Sequence, residues 1–437
     1  MTACRSLLLL ACALSFAAPA SFAREPQEET IKSLENKTVQ IRPGKVIVES
    51  SDLARENYRA FLNLMSEDPE LRAEALRRLG DLELEATEAS QLADNIEALD
   101  SSGYDSAVGL YQKLLESYPA YARNDTVLYQ LARAYEVGGR TDEALAVLNE
   151  LVSKFPDTAL IDEVQFRRGE MLFLRKQYND AEAAYQDVRT YGEKSRFYEQ
   201  ALYKLGWSQF KLAWHEDSLD SFFELLDRKL AGVDIGGRED RLATLSRAER
   251  ELVEDTFRVL SISFSYLEGP DSIDAFLADD PDRAYQHVIY SNLGDLYLEK
   301  ERFVDAAEAY EAFVAKNALH PKAPILQMEV IGAYKQGGFP SLVLDSKKSY
   351  VERYGMDGEF WVRNPVAENQ AVAGHVKTNL NDLAQYYHAE AQRDGKRSDY
   401  QEAANWYRKY LAYFPCEDDS ANTNFLLAEI LYESEDY

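Results

Sequence analysis

Apolar residues return along this chain at helical spacing, in pairs of runs. Within residues 126–156, Leu128, Leu131, Ala132 and Tyr135 share one face of a first helix, and Ala144, Leu148 and Leu151 share one face of a second. Gly138-Gly139 break the pattern between them, and Pro156 stops it. Thr141 is placed to cap the second helix, and Asp142 and Glu143 favour its positive end. The unit then repeats. Ala107, Ala144, Ala181 and Ser218 stand 37 residues apart, as do Ala132, Gly169 and Gly206. Two ladders with one period predict an all-α fold, a solenoid of antiparallel helix pairs. The small residues have a physical task, since two backbones that cross closely leave no room for a large side chain. Ala132 with Ala144, Gly169 with Ala181, Gly206 with Ser218, and Gly294 with Ala306 are expected at such crossings.

The unit resembles the tetratricopeptide repeat family. That family's first helix, helix A, carries a Leu-small pair, found here as Leu131-Ala132, Leu205-Gly206, Leu293-Gly294, Leu383-Ala384 and Leu427-Ala428. A Tyr or Phe opens helix B at Tyr104, Tyr178, Phe303 and Tyr400. The central small residue continues at Ala306 and Ala403, and closing prolines stand at Pro119, Pro156 and Pro415. Arg168-Gly169 departs from the Leu-small pair. The period of 37 exceeds the family's usual length of about 34, as longer turns between repeats would require. The resemblance covers residues 55–437 and implies a right-handed superhelix whose inner face, lined by helix A, receives partner segments. The repeat register assigns to that face Tyr129, Arg133 and Glu136, then Phe166, Glu170 and Phe173, then Tyr203, Trp207 and Phe210. Aromatic and arginine side chains are what binding hot spots use. The family's clamp for a C-terminal carboxylate needs Lys and Asn at places held here by Tyr129/Arg133, Phe166/Glu170 and Tyr203/Trp207. Recognition of chaperone tails is therefore not expected.

Residues 1–23 read as an export signal. Arg5 precedes the apolar run 7–18, and Ser21 and Ala23 fit cleavage after Ala23. Leu9-Leu10-Ala11-Cys12 offers a lipoprotein alternative through Cys12. Residues 24–50 lack helical period and read as an extended tether. A first array follows at 51–229, in which the repeat holding Leu79-Gly80 and Ala107 has gained about 15 residues between its helices. A degenerate insert occupies 230–285, with a loop at 230–241, a long helix over 247–267 and a breaker at Gly269-Pro270. A second array runs over 286–437, including a diverged pair around Gly337-Gly338. It reads as truncated, because residues 422–437 match a helix A with no helix B, leaving Phe425, Leu426, Ile430 and Leu431 without a partner face.

Charge narrows the function. The net charge of -28 opposes general nucleic-acid binding, which needs a clustered basic surface. No stretch besides the signal nears a membrane span. After cleavage only Cys416 remains of 3 cysteines, so packing rather than disulfides must hold the fold. None of the 5 histidines forms HExxH or pairs with cysteine at zinc spacing, and His388 and Glu390 read as surface residues. Asp279-Asp280-Pro281-Asp282 lacks a calcium loop's glycine and reads as a turn. No nucleophile elbow, dinucleotide fingerprint or phosphate loop is present. The expectation is a non-enzymatic scaffold without metal or cofactor, exported to a periplasm. It would bind envelope proteins or peptide segments, in the manner of the exported proteobacterial repeat proteins it resembles, which serve outer-membrane assembly, TonB-type systems, division or motility. A glycan- or peptidoglycan-binding solenoid, and an accessory domain of a longer enzyme, stand as alternatives.

Overall fold

The computed structural model describes residues 50–64, 68–93, 102–232, 244–278 and 283–434. The signal, the tether up to residue 49, the acidic turn at 279–282 and most of the loop at 230–241 lie outside these residues. Helices account for the described chain from end to end. In order they are α1 (Ser50–Asn63), α2 (Pro69–Ala93), α3 (Ser102–Ser117), α4 (Asn124–Val137), α5 (Thr141–Lys154), α6 (Ile161–Leu174), α7 (Tyr178–Thr190), α8 (Tyr198–Lys211) and α9 (His215–Lys229). Next come α10 (Arg247–Tyr266) and the short α11 (Pro270–Leu277), within the stretch expected as an insert. Then come α12 (Gln286–Glu299), α13 (Phe303–Lys316), α14 (Ala323–Gln336), α15 (Pro340–Tyr354), α16 (Phe360–Arg363), α17 (Gln370–Asp394), α18 (Arg397–Tyr413) and α19 (Ser420–Glu433). Consecutive helices pack on one another, which is the solenoid the two ladders predict.

One turn geometry joins helix A to helix B again and again. Gly139, Lys176, Ala213, Glu301 and Gly338 all hold positive φ, between 57° and 76°. In each, the next N–H reaches back across the turn: Arg140 to the Tyr135 carbonyl at 2.8 Å, Gln177 to Leu172 at 3.0 Å, and Trp214 to Gln209 at 2.9 Å. A left-handed residue just past a helix satisfies the last carbonyls in this way. Three of these five turns use a residue other than glycine, at a conformational cost. The same turn explains a correction. Thr141 is the first residue of α5 rather than its cap, and no side chain caps that helix.

Four glycines stand close under a ring of the following helix. A Cβ on Gly80 would stand 2.7 Å from the Tyr111 ring, on Gly169 2.6 Å from Tyr185, and on Gly206 2.8 Å from Phe222. Gly294 lies under Tyr310 in the same manner. All four rings are fully buried. Where helix A carries Ala132 instead, the same register position of helix B holds Leu148, which has no ring. Ala144, Ala181, Ser218 and Ala306 have no exposed surface, and the Ser218 hydroxyl donates to the Gly206 carbonyl at 2.9 Å.

Other expectations are corrected. The extra residues between Gly80 and Ala107 lengthen α2 to Ala93 rather than only swelling a loop. His388 is buried, 7% exposed, with Nδ1 3.2 Å from the Tyr407 hydroxyl. In α19, Ile430 is fully buried against α18 and its surroundings, whereas Phe425 and Tyr432 are 66% and 71% exposed. The apolar core forms two clusters, Leu76 to Leu205 and Leu219 to Ile430. Between them α8 and α9 bury a polar seam: Ser221 donates to Gln209 at 2.7 Å and Ser208 to the Lys204 carbonyl at 2.8 Å.

Candidate functional site

The nine residues assigned to the helix-A face lie on α4, α6 and α8, and every one is half-buried. They do not stand as a bare aromatic groove. Their polar atoms are joined from repeat to repeat. Arg133 places one guanidinium nitrogen 2.7 Å from both oxygens of Glu88, which sits on the lengthened end of α2. The Tyr129 hydroxyl donates to Glu163 at 2.6 Å, and Arg167 bridges Glu163 at 3.2 Å and Glu136 at 3.1 Å. The Arg167 guanidinium also covers the Tyr129 ring, 5.7 Å from its centre. One repeat on, Glu170 accepts from Tyr185 and, at 3.1 Å, from Lys204, whose ammonium lies 5.2 Å from the Phe173 ring centre. Tyr203 donates to Asp255 of α10 at 2.5 Å.

The rings are packed on one side and open on the other. Phe166 stacks on Phe197 at 4.9 Å. Trp207 meets Phe210 edge-on at 5.6 Å, with the Lys211 ammonium 5.5 Å and the Arg258 guanidinium 5.8 Å from its ring. Phe210 continues to His215 and to Tyr266, which is 65% exposed. Burial and the Asp255 carboxylate push the Tyr203 hydroxyl up to about 12, so it remains a donor. Burial alone would raise Glu163, but Tyr129 and Arg167 outweigh it and hold this carboxyl below its ordinary value. The row is therefore charge-paired, with aromatic faces and edges left for contact. Such a surface suits binding. It has no nucleophile–base pair, and among the described residues no cluster of His, Cys, Asp or Glu could hold a metal ion.

Several partners in this row are not marked by the repeat register, among them Glu88, Glu163, Arg167, Lys204, Asp255 and Arg258. Arg167 and Lys204 carried a usable signal, since they are 37 residues apart and each follows an assigned ring, Phe166 or Tyr203. Asp255 and Arg258 carried none, because the insert breaks the period before them.

Paired helices, a small residue under a helix-B ring and a bonded helix-A row define an α-solenoid built for binding. Two stretches of it are similar to tetratricopeptide repeats: family models of that description match residues 98–167 and, separately, residues 291–338. No curated protein matches the chain in sequence. Among solved structures, it is similar to a tetratricopeptide repeat protein from Parabacteroides merdae, at 14% identity and a TM-score of 0.29, over 69% of this chain and 98% of that one. It is also similar to the C-terminal part of a TPR repeat-containing protein from Cytophaga hutchinsonii, at 12% identity and 0.33, over 86% and 94%. Yeast Tom70 matches at 12% identity and 0.25, over 84% and 90%.

Proposed function

We propose that this chain is an exported scaffold that holds an envelope partner on its helix-A face. Tetratricopeptide repeats serve protein–protein interaction, typically without catalysis, and among the described residues no helix is long and apolar enough to cross a membrane. The observation carrying the reading is the half-buried row from Tyr129 to Phe210, in which rings, Arg133 and Arg167 share one face and are fixed by hydrogen bonds. A pre-ordered aromatic and arginine surface loses little entropy when a partner segment docks. Export rests on the signal-like residues 1–23 and predicts a mature chain beginning at Arg24.

The test is in-cell crosslinking followed by affinity capture, with Tyr129→Ala and Trp207→Ala beside the parent chain. Circular dichroism would check that both variants stay folded. A specific envelope protein lost in both variants is expected. A partner indifferent to both would refute the helix-A site. N-terminal sequencing tests export separately, and a product that retains Met1 would refute it.

A further inference from the structure

The insert creates a second surface on the helix-B side. Between α9, the turn at Gly192–Lys194 and α11 lies a cleft of about 1030 Å³. Its floor is aromatic: Phe223 stacks on Phe276 with centres 6.2 Å apart. Five carboxylates and three guanidiniums line it. Every guanidinium is already matched. Arg189 pairs with Glu224, Arg228 with Glu193 at 2.6 Å, and Arg283 with both oxygens of Asp227 at 3.0 and 3.2 Å. Two acids remain over. Glu216 and Asp220, one turn apart on α9, are exposed in the cleft, and neither has a hydrogen-bond or ion-pair partner among the described residues. Glu216 lies in the first turn of α9, where the helix dipole favours an acid. Asp220 lies beyond that turn. Partial burial and then the nearby Asp217 push its carboxyl up, against a smaller opposing pull from Arg189.

We propose that this cleft docks a basic segment of a partner protein, with a lysine or arginine side chain entering between Glu216 and Asp220 and its aliphatic stem lying on Phe276. Charge complementarity selects the cation: the matched arginines offer nothing to an anion, and the unmatched acids attract a base. Size selects a stretch of chain over a single small cation, because the volume is at the upper end of the roughly 300–1,000 Å³ of small-ligand sites. The site is independent of the helix-A face and stands whether or not a partner is found there.

Fluorescence anisotropy with fluorescein-labelled hexa-arginine tests this on the full chain, in about 0.15 M salt to screen distant charge. The chain's acidity alone would attract the probe, so the comparison must hold net charge fixed. Glu216→Gln/Asp220→Asn removes two charges from the cleft. Glu116→Gln/Asp157→Asn removes two exposed, unpaired charges elsewhere. The cleft variant is expected to weaken binding by about tenfold and the remote variant by less than about twofold. Phe276→Ala should weaken it about threefold. Equal losses in the two double variants, or no measurable binding by the parent chain, would overturn the proposal. So would arginine amide competing as tightly as the hexamer, since the occupant would then be a small cation.

Discussion

The contact between Gly206 and Phe222 can be tested as a lock with two parts. An alanine at position 206 would put its Cβ 2.8 Å from two ring carbons of Phe222, against an optimum of about 3.5–4.0 Å for carbon pairs. The ring has no exposed surface, and Tyr203 and Trp207 stand edge-on beside it at 6.2 and 6.4 Å, so it cannot retreat. Overpacking of this kind costs about 1–3 kcal/mol, and the gain in helix propensity from Gly to Ala offsets about 0.5–1 kcal/mol. Gly206→Ala should therefore destabilise by about 1 kcal/mol, the centre of a range of about 0–2.5.

Phe222→Leu alone loses packing and should cost about 1–2 kcal/mol. Together the two changes reproduce the Ala132/Leu148 combination that an upstream repeat already uses. The double variant should thus be more stable than the sum of the single effects by at least about 1 kcal/mol. Urea midpoints from far-UV circular dichroism would measure this, compared only where the slope is unchanged, since stacked repeats need not unfold as one unit. Additive effects within about 0.5 kcal/mol would refute the argument that the ring requires the glycine.

Two further outcomes follow from the turns and from acid titration. Ala213 holds φ at 60°, where a side chain costs about 1–2 kcal/mol, so Ala213→Gly should raise stability by about 0.5–1 kcal/mol, and Gly139→Ala should lower it by a similar amount. Urea midpoints check both, and a loss on Ala213→Gly would contradict the left-handed turn. Hydrogen bonds from Arg77, then from Tyr121 and Arg78, hold the Glu74 carboxyl down at about 2. Its folded value lies below its unfolded one, so the stability it contributes is full above about pH 4.3 and is lost as pH falls toward 2. The parent chain's advantage over Glu74→Gln should shrink across that window, and an advantage that stays constant would exclude the linkage.

Periodicity carried the helix pairs into view, because every repeat must bury the same faces. It marked Gly169, Gly206 and Gly294, but paired them with Ala181, Ser218 and Ala306 rather than with the rings that stand over them. It left the helix-A row half legible. A period says that repeats stack, but not which atoms of one helix A meet the next. Tyr129 reaches Glu163 and Lys204 reaches Glu170 across 34 residues, whereas Tyr203 reaches Asp255 across 52. The last separation depends on the insert's length, which no local pattern encodes. Arg133 finds Glu88 only because α2 runs on past Gly80, and that extension looks like loop when only the ladders are counted. His388 misled for a simpler reason: burial beside Tyr407 is set by the packing of α17 on α18, not by its polar neighbours in sequence.

The pair α8–α9 carries both surfaces. Tyr203 and Trp207 belong to the helix-A row, Glu216 and Asp220 to the cleft, and Phe222 lies buried between the two helices. A wedge at Gly206 must therefore displace one surface relative to the other. A wedge at Gly169 acts under Tyr185, on the pair α6–α7, and reaches the cleft only at its edge, through Arg189 and Glu193 in the turn after α7. Gly206→Ala should consequently weaken hexa-arginine binding by several-fold in chains that remain folded, while Gly169→Ala should leave it within about twofold. The same anisotropy titration separates them. Equal effects would mean that strain spreads freely along the solenoid, against the expectation that each repeat contacts chiefly its neighbours.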